Sequence, residues 1–373
     1  MKNIKYIIIA LGILVAVWLI PAAYELIAPQ TDKAPFVLYS CLDSTFIQVR
    51  VQDKTVHYTD FKGQTFTKQE ADSLLPLFSY RQLLAEGRMP DSLFGIALNP
   101  KLIQHNTFHF KTSPKQLNKP AMGLYTMLES ASGRVDLTLP NDVFRLKKDG
   151  LEFIDCETNK VLPAKSRSFT RELTKHGFTF PVKLIWGNGT TRKDYDNGFL
   201  LTDSNDRLFQ LKMVKGTPFV RQIKNLKSQI INHKYTNLFV IEPANRQLIG
   251  LVVTDEHQLY AVKSDGTLAE IGRCDTSLVH RTSSLCPLSY DPQQMQISIV
   301  GDLLHWTITL YTATDTRYYA VSADDFTLVD SAIVPDPQKS WKQKLVRYLL
   351  PIRLRFTSWQ TQLIQPNIND DNY

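Results

Sequence analysis

Cysteine is scarce in this chain: there are four in 373 residues, and no two of them stand in C-x-x-C spacing. Zinc ribbons and thioredoxin-type redox sites require that spacing, so both are disfavoured. Four cysteines also make no disulfide framework for a protein of this size. Cys274 and Cys286 could close one loop. Cys41 and Cys156 are expected to be small, buried apolar residues.

Motifs of catalysis and of phosphate binding are also missing. No G-x-S-x-G or S-x-x-K sequence occurs, so neither of these serine nucleophiles is indicated. The run from Gly187 to Lys193 lacks the Walker spacing and predicts a polar turn. His105 and His109 fall in a segment typical of a strand, where four positions separate two side chains by roughly 13 Å. We therefore predict no catalytic residue, no metal site and no cofactor, and enzymatic activity is unsupported rather than excluded.

A broad basic face is absent as well, although the formal net charge is +7. Residues 1–33 carry +1 and residues 339–373 carry +4, which leaves +2 for the body from 34 to 338. A protein that binds a nucleic-acid duplex needs many cations spread over one surface. The near-neutral body predicts that nucleic acid is not a partner.

One long apolar run is present, at the N-terminus. Tyr6–Tyr24 contains nineteen residues without a charge, which as a helix nearly spans a hydrocarbon core of ~30 Å. The alternative is a cleaved signal peptide, but the alanines at 22, 23 and 28 each lack a small residue two positions earlier, as cleavage requires. Lys2 and Lys5 precede the run, so the positive-inside rule places the N-terminus in the cytoplasm. The sequence predicts a single-pass inner-membrane anchor and a periplasmic body after about residue 28.

The first part of the body predicts strands and then a broken helix. Residues 36–62 contain three runs that are typical of strands. Thr67 and Glu70 form a capping box, Pro76 should interrupt the helix, and Gly87 should end it. We predict two short helices or one kinked helix over about 68–86.

From about residue 143 the pattern changes to β-hairpins without a long amphipathic helix, which predicts an all-β region. The chain is divided into a cytoplasmic tip and anchor (1–28), a β/α region (29–142), a hairpin region (143–335) and a C-terminal segment (336–373). The predicted strands are Phe144–Leu146, Leu151–Phe153, Phe178–Ile185, Phe199–Thr202, Leu208–Met213, Phe219–Ile223, Leu238–Glu242, Leu248–Thr254, Leu259–Lys263, Leu268–Ile271, Ile297–Val300, His305–Tyr311, Tyr318–Ser322 and Thr327–Val334.

A weak repeat runs through the hairpin region. A Thr-Asp pair ending at Asp203, Asp255 or Asp315 is followed each time by an aromatic and aliphatic strand. Such a pair is expected to end one strand and to hydrogen-bond the turn before the next. The aspartates are 52 and 60 residues apart, near the length of a four-stranded propeller blade, so a β-propeller-like domain is favoured over a β-sandwich. The three aspartates are candidate ligand residues on one rim, with turn capping as the simpler interpretation.

The C-terminal segment is basic and aromatic at helical spacing, with Pro351 expected to kink it. This composition is typical of a helix lying in the membrane interface, with aromatic rings at headgroup depth and cations toward anionic lipid. The alternative is a terminal helix that packs on the β-domain and leaves a solvated basic edge. The candidate membrane or partner contacts are Trp341, Lys342, Lys344, Arg347, Arg353, Arg355 and Trp359.

Several stretches resemble a known family. They are Phe66–Pro76, Phe78–Leu83, Gly87–Asp91, Leu128–Asp136 and Gly198–Ser204. Together they resemble an uncharacterised membrane-anchored family of Bacteroides-type bacteria, domain of unknown function family 4857, over nearly the whole chain. Genes of this family often neighbour those of ABC transporters, which implies an accessory role at the inner membrane. The resemblance implies no catalytic residue.

Two functional hypotheses follow. The first is a membrane-anchored extracytoplasmic interaction protein, accessory to an inner-membrane transport or envelope complex, with membrane lipid and an ABC-type or other membrane complex as partners. The alternative is an exported hydrolase or carbohydrate-binding propeller with a site at the rim. An envelope sensor is disfavoured because only about five residues would lie in the cytoplasm.

Overall fold

The computed structural model describes residues 2–27, 35–52, 55–119, 122–131, 136–224, 234–274, 287–335, 352–354 and 364–366. The chain divides into two compact units. One unit comprises residues 1–35, 311–316 and 333–373, and the other comprises residues 36–310 and 317–332.

The N-terminal run forms helix α1, Lys2–Ile27, so the predicted helix over Tyr6–Tyr24 is confirmed as a helix. Most of its large apolar side chains between Ile4 and Ile20 are exposed, including Tyr6 at 71%. Within the described ranges, no helix meets the combined requirements of length and apolarity for a membrane span.

The larger unit begins with an antiparallel sheet in chain order, β1 (Phe36–Ser40), β2 (Thr45–Gln52), β3 (Thr55–Asp60) and β4 (Thr65–Phe66). Helices α2 (Lys68–Leu74) and α3 (Tyr80–Ala85) follow. The capping box at Thr67 and Glu70 is present, and the helix is broken around Pro76, as predicted. Leu38, Ile47 and Leu75 form the small core between this sheet and α2.

The segment before residue 143 continues with short elements. They are β5 (Ser92–Leu93), β6 (Ile96–Ala97), α4 (Pro100–Asn106), β7 (Phe108–Thr112) and α5 (Pro114–Leu117). His105 lies in α4 and His109 in β7, so the prediction of one strand through both is wrong. Asn99 accepts a hydrogen bond from the Leu102 amide and Pro100 follows it, which starts α4 at this point.

The hairpin β8 (Asp142–Leu146) and β9 (Leu151–Asp155) is followed by helix α6, Pro163–Lys175. The prediction that no long helix interrupts this region is therefore wrong. Pro163 at the first helical turn and the four-residue spacing of Phe169 and Leu173, both fully buried, are its signals. The chain is mainly β nonetheless.

Three further antiparallel sheets follow, each a meander in which consecutive strands pair. The predicted strand over Phe178–Ile185 begins only at Leu184, because the preceding stretch contains Pro181, which cannot donate to a ladder. The third meander gains β7 as a fifth strand beside its first. The strands are β10 (Leu184–Gly187), β11 (Phe199–Thr202), β12 (Leu208–Val214), β13 (Thr217–Gln222), β14 (Tyr235–Val240), β15 (Leu248–Thr254), β16 (Leu259–Lys263), β17 (Leu268–Glu270), β18 (Gln296–Gly301), β19 (His305–Tyr311), β20 (Asp315–Ser322) and β21 (Leu328–Pro335).

Consecutive sheets are joined by apolar cores within the larger unit. The hairpin β8–β9 and α6 pack with β10–β13 around Phe144, Phe153 and Phe209. The sheet β10–β13 packs on β14–β17 through residues such as Leu200 and Val252. The sheet β14–β17 shares a larger core with β18–β21, which includes Trp306 and Phe326. Burying these side chains provides about 1.5–3 kcal/mol each.

The C-terminal segment departs from its prediction where it is described. Strands β22 (Ile352–Leu354) and β23 (Ile364–Pro366) pair antiparallel, so the predicted helix is wrong at Arg353. β22 lies next to α1 in the smaller unit. The other candidate contacts, Trp341, Lys342, Lys344, Arg347, Arg355 and Trp359, lie outside the described residues.

The cysteines follow the prediction in part. Cys156 is exposed, which contradicts the expectation that it is buried, because it stands in the turn after β9. Cys41 is partly buried. Cys286 lies outside the described residues, so its pairing with Cys274 stays a prediction.

Candidate functional site

A meander places its hairpin turns at two ends. The turns between the first and second strands and between the third and fourth lie at one end, and the turn between the second and third lies at the other, because each antiparallel strand reverses direction. We call the end with the first and third turns the odd-turn end, and the end with the second turn the even-turn end. The sheets β14–β17 and β18–β21 both bring their odd turns to one cavity.

This cavity has a volume of about 600 Å³, which is in the range of small-molecule sites. All four odd turns of the two sheets line it, and Ile96, Asn106 and Phe108 complete the wall. Asn106 and Asn245 join the wall to the β14–β15 turn through a side-chain hydrogen bond of 3.0 Å. The residues from the turns and adjacent strands are Asn245, Gln247, Leu248, Lys263, Ser264, Asp265, Asp302, Leu303, Leu304, Trp306, Ala323, Asp324 and Phe326.

The cavity combines an apolar floor with a charged edge. Trp306 and Phe326 are almost fully buried and pack edge-to-face with centroids 4.8 Å apart. The Lys263 ammonium lies over the Phe326 ring, 5.5 Å from its centroid. Asp265 and Asp324 are exposed at the edge. The carboxylate of Asp265 accepts hydrogen bonds from the Thr267 hydroxyl and amide, and these lower its pKa.

Asp302 is the buried carboxylate of the cavity. It stands in the β18–β19 turn and is 6% exposed. Its Oδ1 accepts hydrogen bonds from the amides of Leu304, at 2.7 Å, and His305, at 2.8 Å. Burial raises the pKa of this carboxyl to about 6, against the opposing effect of the two amides. Its Oδ2 has no hydrogen-bond partner among the described residues.

A buried ion network fixes one wall of the cavity. The Lys193 ammonium donates to Asp196 Oδ1, Glu242 Oε1 and the Asn188 carbonyl, each at 2.6 Å. The three charged side chains are no more than 7% exposed. Ser130 supplies a further hydrogen bond to Asp196 at 2.8 Å. Glu242 opens the β14–β15 turn, so this network holds the turn that carries Asn245 and Gln247 into the cavity wall.

Neighbouring polar groups reinforce the same turn. The Asn197 amide nitrogen Nδ2 donates to the carbonyls of Ile241 and Leu248, which bracket the turn. The Tyr195 hydroxyl donates to the Pro243 carbonyl at 2.9 Å. Both oxygens of Asp196 and of Glu242 accept a hydrogen bond, and the Lys193 ammonium donates three. The network is therefore satisfied internally, and its role is to position the turn.

The predicted rim residues lie elsewhere. Asp203 follows β11 and Asp255 follows β15, in the even turns of their sheets. Asp203 is fully buried and accepts hydrogen bonds from Asn205, Arg207 and Thr179, including the Arg207 guanidinium at 2.6 Å. Its carboxylate is therefore fully engaged in the turn, as the simpler interpretation predicted.

The other two aspartates repeat this arrangement only in part. Asp255 is exposed and accepts a hydrogen bond from the Lys234 amide. Asp315 opens β20 and its amide donates to the Thr312 hydroxyl at 3.0 Å. None of the three aspartates lines the cavity, and their role in ligand binding stays a prediction.

A thiol, an imidazole and a carboxylate gather near the cavity, although the sequence did not single them out together. Burial and the neighbouring Asp302 raise the pKa of the Cys41 thiol to about 11. Burial lowers the pKa of His305. A nucleophilic cysteine needs a depressed pKa and a basic partner. The environment of Cys41 keeps the thiol protonated, which opposes that role.

Metal chemistry receives no support from the described ranges. They contain no group of three His, Cys, Asp or Glu side chains placed to hold an ion. His109 contacts the Ser298 hydroxyl at 3.2 Å and is exposed.

The sequence reasoning missed Asp302, Lys193 and Glu242. Gly301-Asp302 is typical of an ordinary turn, and the run from Gly187 to Lys193 predicts a polar turn. The two carboxylate partners of Lys193 are 3 and 49 positions away along the chain. A lysine followed closely by an aspartate is too common to indicate burial, so no local signal identified this network.

A family model described as domain of unknown function (DUF4857) matches residues 36–321. The chain belongs to this family. The resemblance inferred from the sequence is thereby confirmed, while the taxon and the neighbouring genes stay predictions. No curated protein sequence matches the chain.

Two solved structures are similar to parts of this DUF4857 protein. Dihydro-heme d1 dehydrogenase NirN in complex with DHE shares 11% identity, with a TM-score of 0.25, over 71% of this chain and 72% of its own. The β-propeller domain of Cps50 (Swd1) from Myceliophteria thermophila shares 9% identity, with a TM-score of 0.23, over 83% of this chain and 99% of its own.

Proposed function

We propose that this protein is a membrane-tethered extracytoplasmic binding module that takes a ligand in the cavity at the odd-turn end of β14–β17 and β18–β21. The observation that carries the proposal is the cavity itself, which joins a buried carboxylate and an aromatic floor to an ion-anchored wall. Binding sites are typically mostly apolar concavities with a few placed polar groups. The four meanders support a propeller-like arrangement, because that sheet type is the propeller's repeating unit.

A ligand-induced shift of the melting temperature tests the cavity. The full chain in detergent is screened against amines, guanidines, neutral sugars, carboxylates and nucleotides. A ligand that binds only the folded state raises its stability by RT ln(1 + [L]/Kd). At least one class is expected to stabilise the wild type, and a complete absence of shifts would refute the binding function.

Two tryptophan variants locate the binding. Ser264→Trp fills the cavity, and Asn205→Trp is the matched control at the even-turn end of another sheet. Each of the two residues contributes to its turn through a backbone group. The Ser264 carbonyl accepts a hydrogen bond from Arg221, and the Asn205 backbone amide donates one to Asp203. The ligand should stabilise the control variant but not Ser264→Trp. Equal stabilisation of both variants would place the site outside the cavity.

We propose that helix α1 is the membrane tether. Its exposed apolar side chains surround the helix rather than forming one stripe, and a helix apolar on all sides is suited to lipid or to a deep protein core. We expect the full chain to stay with the membrane during alkaline carbonate extraction and the chain lacking residues 2–27 to be released. Release of the full chain would contradict the tether. Protease digestion of the body in spheroplasts, but not in intact cells, tests its periplasmic side.

The partner is proposed to be an inner-membrane transport or envelope complex. Support comes from the tether, which would keep the cavity beside such complexes. Cross-linking at native expression, followed by purification in mild detergent, should recover a membrane protein with the wild type. Recovery of the protein alone would oppose an accessory role and leave the cavity test unaffected.

A further inference from the structure

The cavity is lined by a buried acid, Asp302, that has no cation paired with it among the described residues. Three consecutive sheets carry a buried acid in or beside their first turn: Asp196, Glu242 and Asp302. The first two share the Lys193 ammonium at 2.6 Å. Among the described residues, no cation forms an ion pair with Asp302. Desolvating an ionised carboxylate costs several kcal/mol unless a cation or hydrogen bonds compensate for it.

The rest of the lining favours a positively charged ligand. Within the described lining, Asp265 and Asp324 at the edge add two negative charges, and Lys263 adds one positive charge. Acidic groups at the mouth of a cleft raise the local concentration of cations. Aromatic faces also attract cations. The Lys263 ammonium over the Phe326 ring is an example of this attraction within the cavity.

A bare metal ion fits the described lining of the cavity less well than an organic ligand does. No three acidic or imidazole side chains within the described ranges come together to hold one, and a volume of about 600 Å³ suits a ligand of many atoms.

We propose that the cavity binds an organic cation, a primary ammonium or guanidinium group, that pairs with the Asp302 carboxylate. This inference rests on the proposed binding function and names the class of its ligand. The shared chemistry could come from a Lys- or Arg-containing peptide or from a free polyamine.

Binding of the cation is coupled to ionisation of Asp302, so affinity should rise with pH. Burial raises the pKa of Asp302 to about 6, and a bound cation favours the ionised form. The titratable groups that face Asp302 are Cys41 and His305, and the Cys41 thiol stays protonated near pH 6. The charged groups of the described cavity lining are Lys263, Asp265 and Asp324.

Isothermal titration calorimetry tests the proposal on the full chain in detergent. The probes are acetyl-Ala-Lys-Ala-amide, acetyl-Ala-Arg-Ala-amide and spermidine, and the neutral control is acetyl-Ala-Gln-Ala-amide. At about 1.5 pH units above the pKa of Asp302, a cationic probe should bind at least ~10-fold more tightly than the control. At about 1.5 units below it, the affinity should fall at least ~5-fold. Tighter binding of the peptides identifies a peptide source, and tighter binding of spermidine identifies a polyamine.

Three variants separate Asp302 from general effects of charge. Asp302→Asn keeps an oxygen for the Leu304 and His305 amides and should abolish both the cation preference and the pH dependence. Lys263→Met removes a repelling ammonium and should tighten cation binding about threefold. Lys212→Met is its matched control, since Lys212 lies over Phe219 at 5.2 Å and does not line the cavity.

The outcomes distinguish this inference from the function on which it rests. If sugars or carboxylates stabilise the wild type but not Ser264→Trp, and no cation binds, the organic-cation site is overturned and the binding module stands. If nothing binds, both are overturned. A cation affinity that Asp302→Asn leaves unchanged also overturns the assignment.

Discussion

Removing the Lys193 ammonium is expected to destabilise the protein severely. In Lys193→Met, the carboxylates of Asp196 and Glu242 stay buried, at 3% and 4% side-chain exposure, and lose the cation that lies between them. Breaking a buried ion pair by removing one partner costs about 3–5 kcal/mol, because the remaining charge is uncompensated. Two carboxylates depend on this one ammonium, so we expect a loss at the upper end of that range.

The matched control is Lys183→Met. Lys183 pairs with Asp206 at 2.8 Å in the neighbourhood of the same sheet, but the two side chains are 43% and 26% exposed. Exposed pairs contribute about 0–1 kcal/mol. The same chemical change is therefore made in two ion pairs that differ in burial.

Urea unfolding of the full chain in detergent, followed by tryptophan fluorescence, measures both variants. The midpoint of Lys193→Met should fall far below that of Lys183→Met without a large change in the slope. A cost for Lys193→Met below about 1 kcal/mol would refute the reasoning that the network is buried and mutually dependent.

Three further predictions follow from the described contacts. Asp302→Asn should stabilise the protein by about 2–3 kcal/mol above pH ~6 and have almost no effect near pH ~4. Burial raises the pKa of Asp302 in the folded protein to about 6, so the wild type loses stability as the pH rises through this window. Urea titrations across that range measure it, and a gain that grows toward acid would contradict the sign. Gly250→Ala should cost more than ~2 kcal/mol, since its Cβ would stand 2.1 Å from the Phe239 carbonyl oxygen, whereas Gly189→Ala meets nothing closer than 3.6 Å; similar melting temperatures for the two would refute this. Thr67→Ala should cost about 1 kcal/mol by removing the α2 cap, as thermal unfolding would show, and no change would mean that the cap frays.

The strands were predictable where short-range patterns determine them. β11, β15, β16 and β19 have the bounds predicted from their apolar runs and flanking turn residues. The equivalent position of Asp203 and Asp255 also follows from the repeat, because a Thr-Asp pair ends a strand by local hydrogen bonds. These features depend on residues within a few positions of one another, which a sequence displays directly.

Helix α6 was missed although its signals are present. Only Phe169 and Leu173 of its side chains are fully buried, so the apolar stripe is two residues long and its pattern is weak in a polar segment. Besides these two core contacts, the helix is held by β9, whose Phe153 and Leu151 amides donate hydrogen bonds to the Ser166 and Thr170 hydroxyls of α6. Tertiary contacts of this kind decide the structure without a local pattern.

The cavity could not be predicted because its parts are far apart in the sequence. Ile96, Asn245, Lys263, Asp302 and Asp324 come from five segments, and each of them alone is an unremarkable turn or edge residue. Their meeting depends on which end of each meander holds the odd turns and on which sheets are neighbours.

Asp203 and Asp302 show why residue type and turn position do not identify a binding residue. Both are buried aspartates that accept amide hydrogen bonds in a turn between two strands. Asp203 also receives the Arg207 guanidinium at 2.6 Å, so its charge is compensated within the turn. Among the residues that the structure describes, Asp302 receives amide donors on one oxygen alone, and it borders a cavity. Of the three aspartates that the repeat marks, Asp203 is thus compensated within its own turn, and the acid that lines the cavity is one that the repeat does not mark.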